Sequence, residues 1–269
     1  MAKKIQSFNM ITSTSNNRIK QIRQLQTDRR VREQERLFVA EGDRWLKELI
    51  GLGMRPQLIL TTPAWLDNPA HTALLAQLDA PHLPVNEAVM ASASDTQTAP
   101  GILAVIPQPD WQLPEHPTLL LVLDRVQNPG NLGTMLRTAA AAGVAAVLLS
   151  PGCVDAYNPK TVRGGMGAHL RLPILRQSWP QIAAATNGLS IWLASVENPA
   201  IPYTQINWCP PSALIIGSEA HGVGNEALKL AHGEVTIPMH AATESLNAAV
   251  AAAVILFEAQ RQRVAPVKS

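Results

Sequence analysis

Two patterns of hydrophobic and polar residues follow each other along the chain. Before residue 107, Ile19, Ile22 and Leu25 recur at three-residue spacing with basic residues between them, which predicts a basic amphipathic helix. A second helix at 45–50 and a strand at 57–61 are expected after it. After residue 118, short continuous apolar runs alternate with helical patterns. Such runs are typical of strands buried on both faces of a sheet.

The alternating pattern predicts an α/β domain, in which helices cover both faces of a parallel sheet. Its strands are expected to begin at residues 119, 145, 189, 213 and 235, and its first and last helices to span about 132–142 and 245–263. Ligands of such sheets bind outside the carboxyl ends of the strands. Loops 125–133, 217–226 and 238–247 are therefore where we expect the chemistry.

A proline-rich stretch separates the two patterns. Residues 107–117 contain four prolines and no periodicity, which is typical of a linker. The sequence thus predicts one domain over residues 1–107, a linker over 108–117 and a second domain over 118–269. A chain of 269 residues, of which 46% are hydrophobic, is long enough and apolar enough for two cores.

Charge is distributed unevenly between these regions. The net charge of the chain is +2, but the first 40 residues hold nine Lys or Arg against three Asp or Glu, which leaves a net negative charge on the remainder. Such asymmetry indicates that the N-terminal segment meets a polyanion. The alternative is an ordinary solvated helix face.

Several classes of protein are excluded by composition. Two cysteines are too few for a disulfide framework or a cysteine zinc site, and the histidines at 221, 232 and 240 are irregularly spaced, so no metal is expected. No apolar stretch follows the basic start, as a signal peptide would require. The longest apolar run, residues 248–257, is shorter than the roughly 20 residues that span a bilayer. We expect a cytoplasmic protein with no membrane partner.

Polar residues in the three loops are candidates for function. Asn131 can cap the helix after the first loop, and Arg137 lies about two turns further on. Glu219 is a carboxylate at a strand end. In the third loop, Thr243 or Ser245 can cap the last helix, which places Asn247 in its first turn. Each candidate also has a purely structural explanation. The first loop could be a turn followed by a surface arginine, Glu219 a capping or ion-paired acid, and the third loop a polar cap on a buried helix.

One short motif favours an enzyme that uses a dinucleotide cofactor. Residues 222–227 match a loose Gly-x-Gly-x-x-Ala dinucleotide fingerprint, which would suit a nicotinamide dehydrogenase. The fingerprint normally follows the first strand of its domain, whereas this one follows a late strand. A cofactor titration tests the dehydrogenase hypothesis, and NAD is not expected to bind.

Together the loops resemble the SpoU (TrmH-like) branch of the SPOUT superfamily, which comprises RNA 2′-O-ribose methyltransferases. The motifs that carry the resemblance are Asn131–Arg137, Gly217–Gly222, and Ile237–Met239 with Ser245–Asn247. Residues 158–168 resemble a further segment of that family, and residues 11–20 and 36–42 resemble the RNA-substrate domain that often precedes its catalytic domain.

The resemblance implies an architecture and a cofactor. The C-terminal domain would contain a deep trefoil knot over residues 212–247, and a small α/β domain of ribosomal-protein type would precede it. The knot would hold S-adenosylmethionine in a bent conformation, and the enzyme would be a homodimer whose partner subunit completes the site. Its implied cofactor-binding residues are Gly217, Ile237 and Leu246.

The resemblance also implies roles for the remaining candidates. The implied catalytic residues are Arg137, Asn131, Glu219, Ser245 and Asn247, and the RNA-binding candidates are Arg18, Lys20, Arg23, Arg36 and Arg163. Because an arginine is effectively always protonated, we expect Arg137 to orient the ribose and stabilise the developing alkoxide, with the RNA phosphate as a candidate proton acceptor. The other four catalytic residues would hold Arg137 and the substrate in place.

Two residues depart from the family pattern. Asn128 stands where the family commonly has Asp, which is a mild change within a turn. Gly165 stands where the family usually has Ser, so this position has no side chain with which to contact a ribose or phosphate.

The resemblance also implies a substrate class: because tRNA enzymes of this branch often have only short terminal extensions, the separate N-terminal domain favours ribosomal RNA over tRNA. The alternatives are the same chemistry on tRNA, or a non-catalytic RNA-binding protein. Basic residues supply affinity for phosphate but carry no sequence information, so the target nucleotide is not readable from them.

Overall fold

The computed structural model describes residues 10–196, 199–218, 222–240 and 245–264. The chain divides into two compact units. The first comprises the described residues of Met1–Pro109 together with Tyr157–Leu170, and the second those of Asp110–Ala156 together with Arg171–Ser269. Residues 108–118, all of them described, contain neither helix nor strand.

Helices and strands alternate along most of the described chain. The helices are α1 (Asn17–Thr27), α2 (Arg29–Glu35), α3 (Asp43–Gly51), α4 (Pro63–Leu66), α5 (Pro69–Leu75), α6 (Glu87–Ala93), α7 (Pro129–Ala141), α8 (Pro159–Gly165), α9 (Trp179–Ala185), α10 (Asn225–Leu230) and α11 (Ala248–Arg263). The strands are β1 (Leu37–Glu41), β2 (Leu58–Thr61), β3 (His82–Pro84), β4 (Ile102–Pro107), β5 (Leu119–Leu123), β6 (Ala146–Leu149), β7 (Ile174–Arg176), β8 (Ser190–Ala194), β9 (Ile201–Pro202), β10 (Ser212–Ile216) and β11 (Gly233–Thr236).

The first unit is built on a four-stranded sheet of order β1-β4-β2-β3. Strand β4 runs antiparallel to both β1 and β2, whereas β2 and β3 are parallel. The predicted amphipathic helix is α1, which buries Ile19, Ile22 and Leu25 in one core against this sheet. The apolar spacing therefore leaves the basic side chains of α1 on its solvent face.

A segment from the second half of the chain completes the first unit. Val162 and Leu170 are buried in the same core as Phe38 and Trp45. The ring of Tyr157 lies 5.2 Å from that of Phe38. The sequence analysis placed residues 157–170 in the C-terminal domain from their order along the chain. In the structure they lie with the first unit, because their apolar side chains are buried there.

The second unit contains the predicted parallel sheet, with seven strands in the order β7-β6-β5-β10-β8-β11-β9 and every neighbouring pair parallel. Strand β5 is buried at all five positions, as expected for a strand covered on both faces. The edge strands β7 and β9 were not predicted, since three and two residues are too short to show a pattern. Among the described residues, no helix is both long and apolar enough to cross a membrane.

Strand order and direction bring together the ends of β8, β10 and β11 at one edge of the sheet. The trefoil knot expected over residues 212–247 stays a prediction, and residues 219–221 and 241–244 of that span lie outside the described part of the chain.

Candidate active site

A cavity of about 730 Å³ opens in the second unit at the carboxyl ends of three neighbouring strands. Its wall includes Leu193–Val196 from the end of β8, Ile216–Ser218 from the end of β10, and Glu234–Ile237 from β11, with Ser245–Ala248 at the start of α11. The volume lies within the range usual for sites that bind small molecules. The cavity is therefore where strand order predicts a ligand to bind.

All three predicted cofactor-binding residues, Gly217, Ile237 and Leu246, line this cavity. Two of the predicted catalytic residues, Ser245 and Asn247, line it as well. Residues that the sequence places in two separate loops are thus brought to one wall. Their binding of a cofactor stays a prediction that this placement supports.

Close packing of the backbone explains the glycine at position 217. A Cβ atom there would lie 2.6 Å from the carbonyl carbon and oxygen of Gly222, and 2.7 Å from Cγ1 of Val223. The backbones of Ser218 and Gly222 exchange two hydrogen bonds, with N···O distances of 2.9 and 2.8 Å. The backbone of Gly222 therefore lies so close to Gly217 that no larger residue fits at position 217 without a shift of the backbone.

The sequence analysis did not single out Asp124, which follows β5. Its side chain is 1% exposed, and it accepts hydrogen bonds from Gly224 N at 2.6 Å and from Ser150 Oγ at 3.0 Å. A buried carboxylate needs such donors to offset its desolvation. Asp124 therefore anchors the loop before α10, beside the cavity wall. Its position directly after a continuous apolar run was the available signal.

The predicted residues Asn131 and Asn247 are brought together. Asn247 Nδ2 donates a hydrogen bond to Asn131 Oδ1 at 3.3 Å. The capping predictions were wrong in detail: Asn128 caps α7 and Asn247 caps α11, so Asn131 lies in the first turn of its helix. Helix α7 begins at Pro129 because proline, which has no N–H, suits a first helical position.

Arg137 does not line the cavity. Its side chain is exposed on the face of α7 that also carries Gly130 and Thr134, and it has no hydrogen bond or ion pair with any described residue. Glu219, its expected neighbour in the site, lies outside the described residues. The structure thus leaves the guanidinium of Arg137 accessible from solvent.

Three of the RNA-binding candidates, Arg18, Lys20 and Arg23, are exposed on α1. Arg36 is also exposed, and its Nη2 donates to the carbonyl oxygen of Pro109 at 3.4 Å. Side chains of this kind can reach phosphates without disturbing a core.

Two basic residues have other partners. Arg163 Nη1 lies 2.7 Å from Asp95 Oδ2 in an ion pair, so an RNA phosphate would compete with a carboxylate for it. Arg32 is buried, and its Nη1 donates to the carbonyl oxygen of Leu25 at 2.6 Å near the end of α1. Its charge therefore contributes to the N-terminal excess without being available to a partner.

No group of three or more His, Cys, Asp or Glu among the described residues is arranged to hold a metal ion. The volume of the cavity suits a small organic ligand. Its wall combines apolar residues with polar ones such as Ser245 and Asn247, and the absence of a side chain at Gly217 lets backbone atoms approach closely. These features fit S-adenosylmethionine, the cofactor that the sequence resemblance implies.

Two family models match this chain, one over each part of the sequence. Residues 118–257 match the SpoU rRNA Methylase family, and residues 16–104 match the MRM3-like substrate binding domain. An uncharacterised tRNA/rRNA methyltransferase of Synechocystis is 37% identical over 94% of both chains. The 23S rRNA (guanosine(2553)-2′-O)-methyltransferase RlmP of Bacillus subtilis is 31% identical over 92% of this chain and 97% of its own.

A solved structure extends the similarity to the fold. The AdoMet-bound rRNA methyltransferase of Sinorhizobium meliloti is 27% identical and superposes with a TM-score of 0.83, covering 96% of this chain and 99% of the other. The chain belongs to the SpoU rRNA methylase family. Membership confirms the α/β methyltransferase fold and S-adenosylmethionine as the methyl donor, and it excludes the dehydrogenase alternative.

Proposed function

We propose that this chain methylates a ribose 2′-hydroxyl of ribosomal RNA. The observation that carries the proposal is the cavity at the ends of β8, β10 and β11, whose wall contains Gly217, Ile237 and Leu246. The printed names of relatives support the substrate, since RlmP is a 23S rRNA 2′-O-methyltransferase. An enzyme with this substrate works where ribosomes are assembled, so the cytoplasm is the proposed location.

S-adenosylmethionine, when bound, supplies a methyl group activated by the sulfonium charge. The backbone of the turn at Gly217 and the residues Ile237 and Leu246 would enclose the cofactor and keep water away from it. The hydrogen bond between Asn131 and Asn247 fixes the start of α11 at the edge of the cavity. Ser245 and Asn247 then present polar groups to the ribose.

Arg137 acts on the ribose in this proposal. A guanidinium stays protonated at neutral pH, so it cannot remove the hydroxyl proton. It can orient the 2′-oxygen and stabilise the negative charge that develops on it. The RNA phosphate is the proposed proton acceptor, and Glu219 is proposed to hold the guanidinium in place.

The first unit would bind the RNA. Arg18, Lys20 and Arg23 are exposed on α1 and lie close together in the sequence, and Arg36 follows α2. Contacts to phosphates supply affinity and fix the orientation of the RNA without reading its bases. Arg163 joins this set when a phosphate replaces Asp95 as its partner.

A homodimer is proposed from an apolar stripe on α11. Val250 is 48% and Phe257 47% exposed, and seven positions separate them, which places both on one face of the helix. Leu246, just before the helix, is 36% exposed. A second copy would cover this stripe and bring its own residues to the edge of the site.

Sedimentation tests the dimer. We expect wild-type protein to sediment at twice the chain mass of 29.0 kDa, and the Val250→Asp, Phe257→Asp double variant to sediment as a monomer. Leu52→Asp, at a leucine of the first unit that is also exposed, is the matched control and should remain dimeric. A monomeric wild-type protein would contradict the proposal.

Methyl transfer tests the reaction and the substrate. Labelled S-adenosylmethionine is incubated with unmodified rRNA and unmodified tRNA, and the product is digested with alkali. We expect label in rRNA, in an alkali-resistant dinucleotide, because a 2′-O-methyl group blocks cleavage at its own phosphate. Label in tRNA alone would keep the chemistry and overturn the substrate. RNA binding without any transfer to either RNA would favour the non-catalytic alternative.

A further inference from the structure

One ionisable side chain lines the described part of the cavity wall. Glu234 lies on β11, where its backbone is in register with Leu193 of β8. Alternation along the strand places Glu234 and Thr236 on one face and the fully buried Val235 on the other. Glu234 thus belongs to a strand of the wall and is half-buried.

Glu234 has no compensating charge nearby in the wall. No Lys, Arg or His is among the described residues that line the cavity. Within the described part of the chain, the Glu234 carboxylate makes no hydrogen bond and no ion pair. A partly buried carboxylate of this kind gives the cavity a negative potential, which favours a cationic occupant.

The two small molecules that such a site must distinguish differ by one charge. S-adenosylmethionine carries a sulfonium, an ammonium and a carboxylate, for a net charge of +1 at neutral pH. Transfer of the methyl group leaves the bonding electron pair on sulfur, so S-adenosylhomocysteine is neutral overall. A fixed negative charge in the wall therefore attracts the substrate form more strongly than the product form.

We propose that Glu234 is a specificity-determining residue, whose charge makes the cavity prefer S-adenosylmethionine to S-adenosylhomocysteine. The inference rests on the proposed function, because it requires that the cofactor occupies this cavity. It goes beyond that function by assigning the selection between methyl donor and spent product to one residue. Loss of the methyl group then weakens binding, which favours release of the product.

Binding measured by calorimetry tests the role of the charge. Glu234→Gln keeps the size of the side chain and its ability to accept a hydrogen bond, but removes the charge. We expect the Kd for S-adenosylmethionine to rise about fivefold, the effect of a partly screened charge pair, and the Kd for S-adenosylhomocysteine to change less than about twofold. Sinefungin, which carries an amine in place of the methylsulfonium, should behave like S-adenosylmethionine.

Glu226→Gln is the matched control. Glu226 is exposed in the first turn of α10 and does not line the cavity, so the same change of charge should leave both Kd values unaltered. Raising the salt concentration should reduce the difference between wild-type protein and the Glu234 variant, since salt screens a partly exposed charge.

Each other result has a distinct meaning. An equal rise in the Kd values for both ligands would show that Glu234 makes a contact that does not depend on charge, and would overturn the inference. Unchanged binding of both would overturn it as well. If wild-type protein bound neither ligand, the proposed use of the cavity would fail first. Tight binding of S-adenosylmethionine by wild-type protein separates that failure from a failure of the inference alone.

Discussion

The amide of Asn247 uses both of its polar atoms at the cavity. Oδ1 accepts a hydrogen bond from Ala249 N at 2.9 Å and so caps α11, while Nδ2 donates to Asn131 Oδ1 at 3.3 Å. Residues 116 positions apart in the sequence thereby join the first turn of α7 to the N-cap of α11. One side chain begins a helix and fixes that helix to a second one.

Substitution of Asn247 by Asp or by Ala separates its role as a helix cap from its hydrogen bond to Asn131. Aspartate caps a helix as well as asparagine does, but it has no N–H to donate. We expect Asn247→Asp to retain the stability of the wild type and to lose about three- to tenfold in methyl transfer, the loss of one hydrogen bond. Asn247→Ala should lose as much activity and also about 1 kcal/mol of unfolding free energy. Wild-type activity of Asn247→Asp would contradict the positioning role.

Arg137→Ala should reduce the rate of methyl transfer by at least ~10²-fold, the low end of the range for removal of a group that stabilises a developing oxyanion. Binding of S-adenosylmethionine should stay within about twofold of wild type, because Arg137 does not line the cavity. Single-turnover kinetics and calorimetry measure the two quantities. Arg137→Lys keeps the charge but loses the planar fork, and should recover part of the rate at most.

Lys229→Ala is the control for removal of an exposed cation from the same unit, and it should leave the rate unchanged. An Arg137→Ala enzyme with near wild-type turnover would remove Arg137 from the mechanism.

Gly165 is explained by the ring of His169. A Cβ atom at position 165 would lie 2.5 Å from Cε1 and 2.9 Å from Nδ1 of that imidazole. We expect Gly165→Ser, which restores the usual family residue, to destabilise the protein by about 1–3 kcal/mol through overpacking. Chemical denaturation measures the change. Gly51→Ser is the control, since a Cβ there meets nothing within 4 Å.

The cause is tested by a double-mutant cycle. Gly165→Ser should cost less in a His169→Ala background than in wild-type protein, because the smaller residue leaves room for the serine. An equal cost in both backgrounds would show that the ring does not set the residue at position 165.

His82 should make stability sensitive to mild acid. Burial lowers the pKa of His82 below its ordinary value of 6.5, and its Nε2 lies 2.6 Å from Thr61 Oγ1. Below about pH 6.5 the unfolded chain takes up a proton at His82 that the folded chain does not, so acidification favours unfolding. The contribution is fully present above pH 6.5 and is lost as the pH falls towards the lower pKa of the folded state.

Thermal unfolding at pH 7.5 and 5.5 checks this. We expect the decrease in Tm between the two conditions to be smaller in His82→Gln than in wild-type protein. His116→Gln, at an exposed histidine in the proline-rich stretch, should keep the wild-type decrease. An unaltered decrease in His82→Gln would show that other groups cause the acid sensitivity.

The sequence predicted the features that depend on long, regular patterns. Strands β5 and β6 are continuous apolar runs, and β8 and β10 are apolar after their first residue. The three loops were located from the strand ends that precede them. Edge strand β9 has two residues and carries no pattern. Helix starts were displaced because several Asn, Ser and Thr residues near each loop can cap, and only the folded backbone decides which one does.

Contacts between distant parts of the chain could not be predicted in the same way. Asp124 and Gly224 are one hundred residues apart, and their hydrogen bond depends on β5 and β10 being neighbours in the sheet. The local sequence pattern indicates which side chains are buried, but not which other residues they pack against. Residues 157–170 belong to the first unit because of packing contacts of this kind.

That assignment affects how this protein can be divided. The first unit is discontinuous in the chain, because Tyr157–Leu170 lies between two segments of the second unit. A gene cut within residues 108–117 would separate Val162 and Leu170 from the core that contains Phe38 and Trp45. No single cut of the gene releases both units whole. We therefore expect the pair to be inherited together, and recombination at the proline-rich stretch to yield poorly folded products.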